Sequence, residues 1–471
     1  LQTQLFEKNL KNLLHLPDSL VQRERELYFE INNLDYVLKE NPSDSLREHK
    51  LDLERKYFDL RRNLLFQSSR LQAITNDNLI TLEGTQKKLS SKTLVVDYFL
   101  NQGELFILAI GKHYAHFEKY PFDSLSQQSL SDFVTLLQKL PGEDGASDFR
   151  QLAFENYSTL LPFEIQKSTK ELVIIPDNDL YIIPFDALID EKPSASMAIA
   201  DLAFLVKKYQ ISYLAGLNIS RSTVSGLDTK AVAFAPFVPG VDENLVQVPL
   251  LRYTDSELQV IDDNFELEAF RGKDATEERF KHMVGQHSLL HIASHAIIDN
   301  EYPLQSNILF YPSGDKDDGK LQLWELYGLE IPAKLAVLSA CKTADGALMK
   351  GAGIMNISRG FSVSGTDQVL SNLWPAQDFA ASEVIGSFYR ELKHDHDPAK
   401  ALRQAKLNYL TQQNGPLLYP AYWAGWIIQY SELEEAASFT VTTYHWILIC
   451  SISLLLIWFG FHRYAQRQEK K

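Results

Sequence analysis

Cysteine is scarce in this chain, because its 471 residues contain only two, Cys341 and Cys450. Two cysteines allow one disulfide at most, so a disulfide-rich scaffold is excluded. Positive charge is also in deficit, since 46 Lys and Arg residues face 61 Asp and Glu residues and give a formal net charge of −15. Affinity for nucleic acid comes chiefly from cations that neutralise phosphates. We therefore expect no nucleic-acid partner.

An initiator methionine and a secretory leader are missing as well, because the chain begins at Leu1. We expect a start that is processed or truncated, with room for a signal peptide or further domains upstream. Residues of the kind that build a core are plentiful, at 45% hydrophobic and 11% aromatic. This composition excludes a disordered or collagen-like chain and predicts a folded protein of several parts.

Residues 1–90 are rich in Leu, Glu, Lys and Arg and contain one break, Asn41-Pro42-Ser43-Asp44. Apolar residues recur at steps of three, four and seven on both sides of it, from Leu20 to Leu38 and from Leu46 to Leu71. Such steps put each set on one helical stripe. The pattern predicts an α-helical hairpin, either purely structural or a docking site for a regulatory protein. No 34-residue repeat is legible, although a hairpin can end a helical repeat array.

Short apolar runs alternate with helical patterns from Leu94 onward. Nine runs predict strands, at Leu94–Phe99, Leu105–Ile110, Leu172–Ile175, Val232–Ala235, Leu289–Ile292, Ile308–Tyr311, Leu335–Leu338, Val369–Leu373 and Trp426–Gln429. Helices are predicted at Asp148–Leu161, Ala275–Val284, Gly353–Phe361, Asp378–Leu392 and Ala399–Leu410. This alternation predicts an α/β fold with a mainly parallel sheet over residues 91–431.

The run from Tyr444 to Phe461 is mostly apolar, and His445 is its only residue with appreciable ionisable character. Eighteen helical residues extend about 27 Å, close to the roughly 30 Å hydrocarbon core of a bilayer. The run predicts one transmembrane helix at 444–461, and the alternative is a buried core helix at the chain end. A basic tail follows at 462–471, whereas the residues just before the run carry glutamates and no Lys or Arg. The positive-inside rule then predicts an extracytoplasmic globular part, and a tail anchor with a cytosolic globular part stays open.

Two predicted strands end in small residues that lead to a reactive side chain. Leu289–Ile292 leads to His295, and Leu335–Leu338 leads to Cys341, 46 positions later. Sites in open α/β sheets form beyond the carboxyl ends of strands, so the two side chains would meet if their strands are neighbours. An imidazole can take the proton of a thiol, and the thiolate can attack a peptide carbonyl. The order of His before Cys is that of caspases.

Other interpretations of these residues weigh less. A cysteine in an apolar context is often a buried structural residue, but Cys341 follows its strand. His291 and His295 are four apart, which is a metal-ligand spacing on a helix, yet the surrounding run predicts a strand and no Glu accompanies the pair. Gly346, Gly351 and Gly353 suggest a phosphate loop, but no Lys-Ser/Thr follows in register. We therefore predict neither a metal nor a cofactor.

Ordered motifs surround these residues from about residue 92 to residue 430. They are Val173–Asp177, Ile183–Leu188, His291–His295, Tyr302–Ser306, Leu338–Thr343, Gly351–Gly353, Ser371–Pro375, Ala399–Ala405 and Tyr419–Ala424. In these motifs the chain resembles the CHAT family, caspase-like cysteine peptidases that are associated with tetratricopeptide repeats and related to caspases and separases. The resemblance implies a caspase-like sandwich with a degenerate N-terminal half (about 91–225) and a catalytic half (about 226–431).

The resemblance also implies roles for single residues. His295 becomes the general base and Cys341 the nucleophile. The amide N–H groups of Ala296 and Cys341 can face the oxyanion, although caspase-like enzymes often have Gly where Ala296 stands. Trp374 is expected in the core or on a pocket wall, and Asp378 at the N-cap of its helix. Asp345 is close enough to Cys341 to line a specificity pocket, where a carboxylate favours a basic P1 residue.

The sequence thus leads to one main hypothesis and a rival. The main hypothesis is a membrane-anchored cysteine endopeptidase that cleaves a protein substrate and is regulated through its N-terminal helical region. The rival is a non-catalytic CHAT-fold signalling or scaffold protein at the membrane. The presence of both His295 and Cys341 favours the enzyme, because pseudoenzymes typically lose one member of such a pair.

Overall fold

We analysed a computed structural model of the chain. It describes residues 81–434 apart from 139–144, 195, 215–218, 221–229, 242–247, 300–304, 314–317, 341–346, 350–352, 376 and 432, together with a few single positions between 23 and 56. The predicted hairpin and the predicted span at 444–461 therefore lie almost wholly outside the described residues. Leu27 and Leu53 are helical and buried, and the hairpin stays a prediction. Among the described helices, none has the length and apolar character needed to cross a membrane.

The strands of the described part of the chain are numbered in chain order. They are β1 Thr93–Asn101, β2 Glu104–Gly111, β3 Tyr114–Pro121, β4 Glu171–Ile175, β5 Gln210–Leu214, β6 Ile219–Ser220, β7 Lys230–Ala235, β8 Glu266–Arg271, β9 Leu289–Ser294, β10 Ala296–Ile297, β11 Asn307–Leu309, β12 Lys320–Gln322, β13 Leu335–Ala340, β14 Ala347–Met349, β15 Gly353–Met355, β16 Gln368–Asn372, β17 Trp426–Tyr430 and β18 Leu433–Glu434.

The helices follow the same convention. They are α1 Leu82–Lys88, α2 Ser124–Gln138, α3 Gly145–Leu160, α4 Leu205–Lys208, α5 Thr254–Asn264, α6 Glu277–Met283, α7 Leu323–Leu326, α8 Ile357–Val363, α9 Asp378–Asp395 and α10 Pro398–Gln412. Short 3-10 turns lie at Asn178–Ile182, Phe185–Ala187, Ile199–Asp201, Gly272–Asp274, Gly415–Leu418 and Pro420–Tyr422.

One large sheet of 11 described strands organises the molecule, in the order β3-β2-β1-β4-β5-β17-β16-β13-β9-β7-β8. Neighbouring strands are parallel except at β3/β2, β2/β1 and β17/β16. The prediction of an α/β fold with a mainly parallel sheet is therefore confirmed. The sheet runs through both predicted halves, because β17 from the C-terminal half pairs with β5 from the N-terminal half.

The central strands are buried on both faces, which explains their nearly continuous apolar sequences. Alternate residues of β9 and β13 enter two different cores. Leu289, Ala293, Leu335 and Val337 pack with α5 and α9 on one face. Leu290, Ile292, Ala336 and Leu338 pack with α6, α7 and α8 on the other. Both strands are thereby held between two layers of helices.

The paired helices α9 and α10 show how local sequence sets the ends of elements. α9 ends where His396 adopts a left-handed conformation, with φ of 54°. The Asp397 carboxylate then caps α10 by accepting from the N–H groups of Ala399 and Lys400. Pro398 occupies the first turn, where its missing N–H costs nothing. This sequence of residues fixes a sharp turn between two long helices.

Several predicted elements differ from the observed ones. The apolar run Ile308–Tyr311 contributes only Ile308 and Leu309 to β11, which pairs with β10 and β12 in a separate small sheet. The helix predicted at Gly353–Phe361 begins only at Ile357, because Gly353–Met355 pairs with β14. The edge strands β3 and β8, the inner strand β5 and the helices α2 and α5 were not predicted. β3 alternates between half-buried and exposed residues, so it lacks the continuous apolar run on which the prediction relied.

Candidate active site

The predicted general base lies at the carboxyl edge of the large sheet. β9 and β13 are parallel neighbours whose register pairs Ser294 with Ala340, the last residue of each strand. His295 follows β9 directly. Cys341 and Asp345 belong to the segment 341–346, which lies outside the described residues. The two strands that lead to the predicted dyad are therefore neighbours and end at the same level.

A backbone carbonyl orients the imidazole of His295. Its Nε2 atom lies 2.7 Å from the carbonyl oxygen of Pro249. A carbonyl only accepts, so Nε2 carries a proton and donates it, which leaves Nδ1 as the acceptor of the neutral ring. The Phe237 ring lies 5.3 Å from the imidazole between centroids. The loop that holds Pro249 is closed by a 2.8 Å bond from the N–H of Leu251 to the carbonyl of Phe237.

The backbone around His295 is fixed by the small sheet. The N–H of Leu309 donates to the carbonyl of His295 over 2.9 Å, and the hydroxyl of Ser294 donates to the carbonyl of Leu309. Ala296 stands opposite Ile308 in the same antiparallel pair. Hydrogen-bonded and non-bonded positions alternate in such a ladder. Because His295 and Leu309 form a bonded position, the N–H of Ala296 faces away from β11.

Four buried or half-buried polar side chains lie beneath this edge. His291 Nδ1 is 2.9 Å from the Tyr389 hydroxyl, and His291 Nε2 is 3.3 Å from Glu257 Oε2. The Ser339 hydroxyl donates to Glu257 Oε1 over 3.2 Å. No role was predicted from the sequence for Glu257, Ser339 or Tyr389. No local pattern in the sequence marks these three residues as parts of a site.

Structural positions were also predicted from the sequence for Trp374 and Asp378. Trp374 is 2% exposed, and its indole N–H donates to the Ala421 carbonyl over 2.9 Å. It therefore lies in the core, and its part in a substrate pocket stays a prediction. Asp378 was expected as the N-cap of its helix, but the N-cap is Gln377 and Asp378 begins the helix. That expectation was wrong by one position.

A metal site is not formed by the histidine pair. His291 lies within a strand, fully buried, and both ring nitrogens already face other side chains of the core. Within the described ranges, no group of three or more His, Cys, Asp or Glu side chains is arranged to hold a metal ion.

A sequence model of the CHAT domain matches residues 150–431. The chain belongs to the CHAT domain family. The matched region contains β9, β13, His295, Cys341 and the loop with Pro249. The first three strands of the large sheet, β1 to β3, precede the match.

Relatives of this CHAT chain include much longer proteins. Tetratricopeptide repeat protein 28 of Homo sapiens is 20% identical over 302 residues, which are 56% of this chain and 12% of the human protein. Tetratricopeptide repeat protein 28 of Mus musculus is 27% identical over 110 residues, which are 23% of this chain and 4% of the mouse protein. The chain thus spans a small part of the length of these relatives.

Solved structures similar to this CHAT chain include proteases. The Saccharomyces cerevisiae separase–securin complex matches with 12% identity and a TM-score of 0.34, over 90% of this chain and 28% of the solved chain. The Arg specific cysteine proteinase gingipain R matches with 8% identity and a TM-score of 0.36, over 65% of this chain and 74% of the solved chain.

Proposed function

We propose that this CHAT chain is a cysteine endopeptidase in which His295 is the general base and Cys341 the nucleophile. The orientation of His295 carries the proposal. Its Nε2 atom is bound to the Pro249 carbonyl at 2.7 Å, so Nδ1 remains to accept the thiol proton. An activated nucleophile needs a base that is itself oriented by a third group. In this chain a backbone carbonyl fills that place.

The strand register supports a short distance between the two residues. Adjacent strands lie about 4.8 Å apart, and Ala340 is paired with Ser294. The Cα atoms of consecutive residues lie about 3.8 Å apart, so Cys341 and His295 are each one step beyond a paired residue. This register supports the proposed pairing of the Cys341 thiol with the His295 imidazole.

The alternation of side chains along a strand supports a position of the Cys341 thiol and the His295 imidazole on the same face of the sheet. His291 and Ser339 both contact Glu257, so they lie on the same face of the sheet. His295 is two pleats beyond His291, and Cys341 is one pleat beyond Ser339. Residues separated by an even number share a face of a strand. Strands continued beyond Ser294 and Ala340 would keep both side chains on that face, which supports the pairing of His295 with Cys341.

The mechanism follows from these positions. His295 Nδ1 accepts the proton of the Cys341 thiol, and the thiolate sulfur attacks the peptide carbonyl carbon. The resulting oxyanion is met by backbone N–H groups, for which Ala296 and Cys341 are the candidates. The imidazolium returns its proton to the leaving amine as the C–N bond breaks. Water, deprotonated by His295, then hydrolyses the thioester and frees the thiol.

Active-site labelling tests the proposal. The full chain with Cys450→Ser keeps Cys341 as its single thiol, and it is treated with peptidyl acyloxymethyl ketones that differ in their P1 residue. We expect covalent labelling that Cys341→Ala abolishes. We expect His295→Ala to slow labelling on the order of 100-fold, because a positioned acid or base contributes at least that much. Exposed His282 on α6 supplies the control His282→Ala, which should label at the parental rate.

The same experiment bears on the substrate and on the rival hypothesis. A carboxylate at Asp345 would give ketones with Lys or Arg at P1 the highest rates, and Asp345→Asn would remove that preference. Equal rates for all P1 residues would contradict the role of Asp345. Labelling that persists in Cys341→Ala would contradict the enzyme hypothesis, and so would a His295→Ala labelling rate equal to the parental rate. Either result would favour a CHAT-fold scaffold.

Membrane anchoring and regulation complete the proposal. The apolar run at 444–461 and its basic tail support a single C-terminal span with the globular part outside the cytoplasm. The helical pattern of residues 1–90 supports a surface for a regulatory protein. Flotation with liposomes of the full chain, but not of a chain that ends at Glu434, is the expected result for the span. A full chain that remains in the soluble fraction would refute it.

A further inference from the structure

The four polar side chains beneath the candidate site connect the two strands of the dyad. Glu257 on α5 is 5% exposed and contacts both His291 on β9 and Ser339 on β13. Tyr389 on α9 contacts the other side of the His291 ring at 2.9 Å. Buried polar groups are costly unless each finds a partner. Such a group is retained where it fixes a particular arrangement.

The direction of each bond follows from the chemistry of the groups. Burial raises the pKa of Tyr389 well above its usual value, so its hydroxyl stays protonated and can donate to His291 Nδ1. His291 then carries its proton on Nε2, which faces the Glu257 carboxylate. The Ser339 hydroxyl donates to the second carboxylate oxygen. The Glu257 carboxylate thus accepts a hydrogen bond from β13 and lies 3.3 Å from the imidazole of β9.

The place of these contacts along the strands gives them a role in the site. His291 lies four residues before His295, and Ser339 lies two residues before Cys341. Paired main-chain bonds hold β9 to β13 up to Ser294 and Ala340, but they do not set how far each strand tilts toward the helices above it. Glu257 lies on α5 and contacts both strands from that one helix.

We propose that Glu257 and His291 are positioning residues of the dyad, which hold the ends of β9 and β13 so that the imidazole and the thiol meet. The inference rests on the proposed function, since it assigns these residues to the geometry of that same pair. Neither residue touches the substrate. Their loss is expected to separate base and nucleophile while the fold remains.

The pH dependence of thiol alkylation tests this inference without a known substrate. An isolated thiol has a pKa of about 8.5, so about 1% is thiolate at pH 6.5, whereas a thiol beside an imidazole is largely ionised there. In the full chain with Cys450→Ser, iodoacetamide reports on Cys341 alone. We expect fast alkylation at pH 6.5 in the parent.

Two substitutions of Glu257 separate the effect of its polar contacts with the two strands from the effect of its charge. Glu257→Met has similar length and no polar atoms, and it should slow alkylation at pH 6.5 by between about 10-fold and 50-fold with little change at pH 9.5. Glu257→Gln can accept from His291 through its oxygen and donate to Ser339 through its nitrogen. It should therefore keep most of the parental rate.

A matched pair of tyrosine variants controls for stability. Tyr389→Phe removes the hydroxyl that contacts His291, and Tyr98→Phe removes an equally buried hydroxyl that donates to the Leu160 carbonyl over 2.7 Å. Both should lower the thermal midpoint by similar amounts, because each removes one buried hydrogen bond. Only Tyr389→Phe should slow alkylation at pH 6.5. This pair decides the question if Glu257→Met fails to fold.

Each outcome has a separate meaning. A parent whose alkylation rises only near pH 8.5 would show that the thiol has no imidazole beside it, and the proposed function itself would fail. A parent that is fast at pH 6.5, together with Tyr389→Phe and Glu257→Met variants that stay equally fast, would overturn the positioning role alone. Slow alkylation in Tyr98→Phe as well would show a general loss of stability and would also overturn it.

Discussion

A buried ion pair in the described structure gives the sharpest prediction about stability. Lys406 Nζ on α10 lies 3.0 Å from Asp186 Oδ2, and the two side chains are 1% and 4% exposed. Burial raises the pKa of Asp186 and lowers the pKa of Lys406, while their mutual attraction works against both shifts. The pair joins the segment after β4 to a helix of the C-terminal half, so it links the two halves of the large sheet.

The magnitude follows from the distance and the burial. Two unit charges 3.0 Å apart attract by about 5 to 6 kcal/mol at an effective dielectric constant of about 20. Removing each ion from water costs several kcal/mol, so the intact pair is close to neutral in free energy. Removing one partner leaves the other charge buried alone. We expect Lys406→Met or Asp186→Leu to lower the free energy of unfolding by about 3 to 5 kcal/mol.

The double variant Asp186→Leu with Lys406→Met is the informative one. It leaves no buried charge, so its stability should equal that of the parent or exceed it by about 1 to 4 kcal/mol. Guanidinium unfolding followed by tryptophan fluorescence measures all four proteins. A free energy of unfolding of Lys406→Met within about 1 kcal/mol of the parental value would contradict this prediction. So would a double variant whose loss of stability equals the sum of the losses in the two single variants.

Two other predictions concern single positions. Burial raises the pKa of Asp97 from 3.8 to about 6, so the folded state loses stability as pH rises between these two values. Asp97→Asn should therefore add about 3 kcal/mol at pH 7.5 but only about 0.5 kcal/mol at pH 4 in paired unfolding curves. An equal gain at both pH values would contradict this. A Cβ at Gly425 would lie 2.2 Å from Asn372 Oδ1 and 2.8 Å from Trp374 Cε2, so Gly425→Ala should cost about 1 to 3 kcal/mol. Gly285→Ala, which meets nothing within 4 Å, should leave the thermal midpoint unchanged.

Much of the sheet could be predicted because its central strands are buried on both faces. The run Leu335–Leu338 reads as a strand from its apolar residues alone, and β13 contains it. Strands with one open face were missed, since β8 alternates between exposed and half-buried residues in Glu266–Arg271. Helix α5 was missed as well. It carries polar residues on most positions and buries only Thr254, Glu257, Leu258 and Ile261.

The residues of the candidate site also fall into those that the sequence predicts and those that it does not. His295 could be predicted because a polar residue after a buried apolar run marks the edge of a sheet. Pro249 could not, because it contributes a backbone carbonyl, and any residue type at that position has one. Glu257 and Tyr389 come from helices 38 residues before and 94 residues after His295, and no local pattern connects them. Only their packing against one strand brings them together.

The sequence by itself determined the acidic charge, the lack of a disulfide framework, the family motifs and the pairing of one histidine with one cysteine as candidates for catalysis. These follow from composition and from local order along the chain, where apolar runs and small residues mark strand ends. Only the tertiary structure shows that β9 and β13 are adjacent, that His295 is bonded to the Pro249 carbonyl and that Glu257 contacts both strands. These depend on hydrogen bonds between distant segments, whose geometry is set only when the helices pack on the sheet.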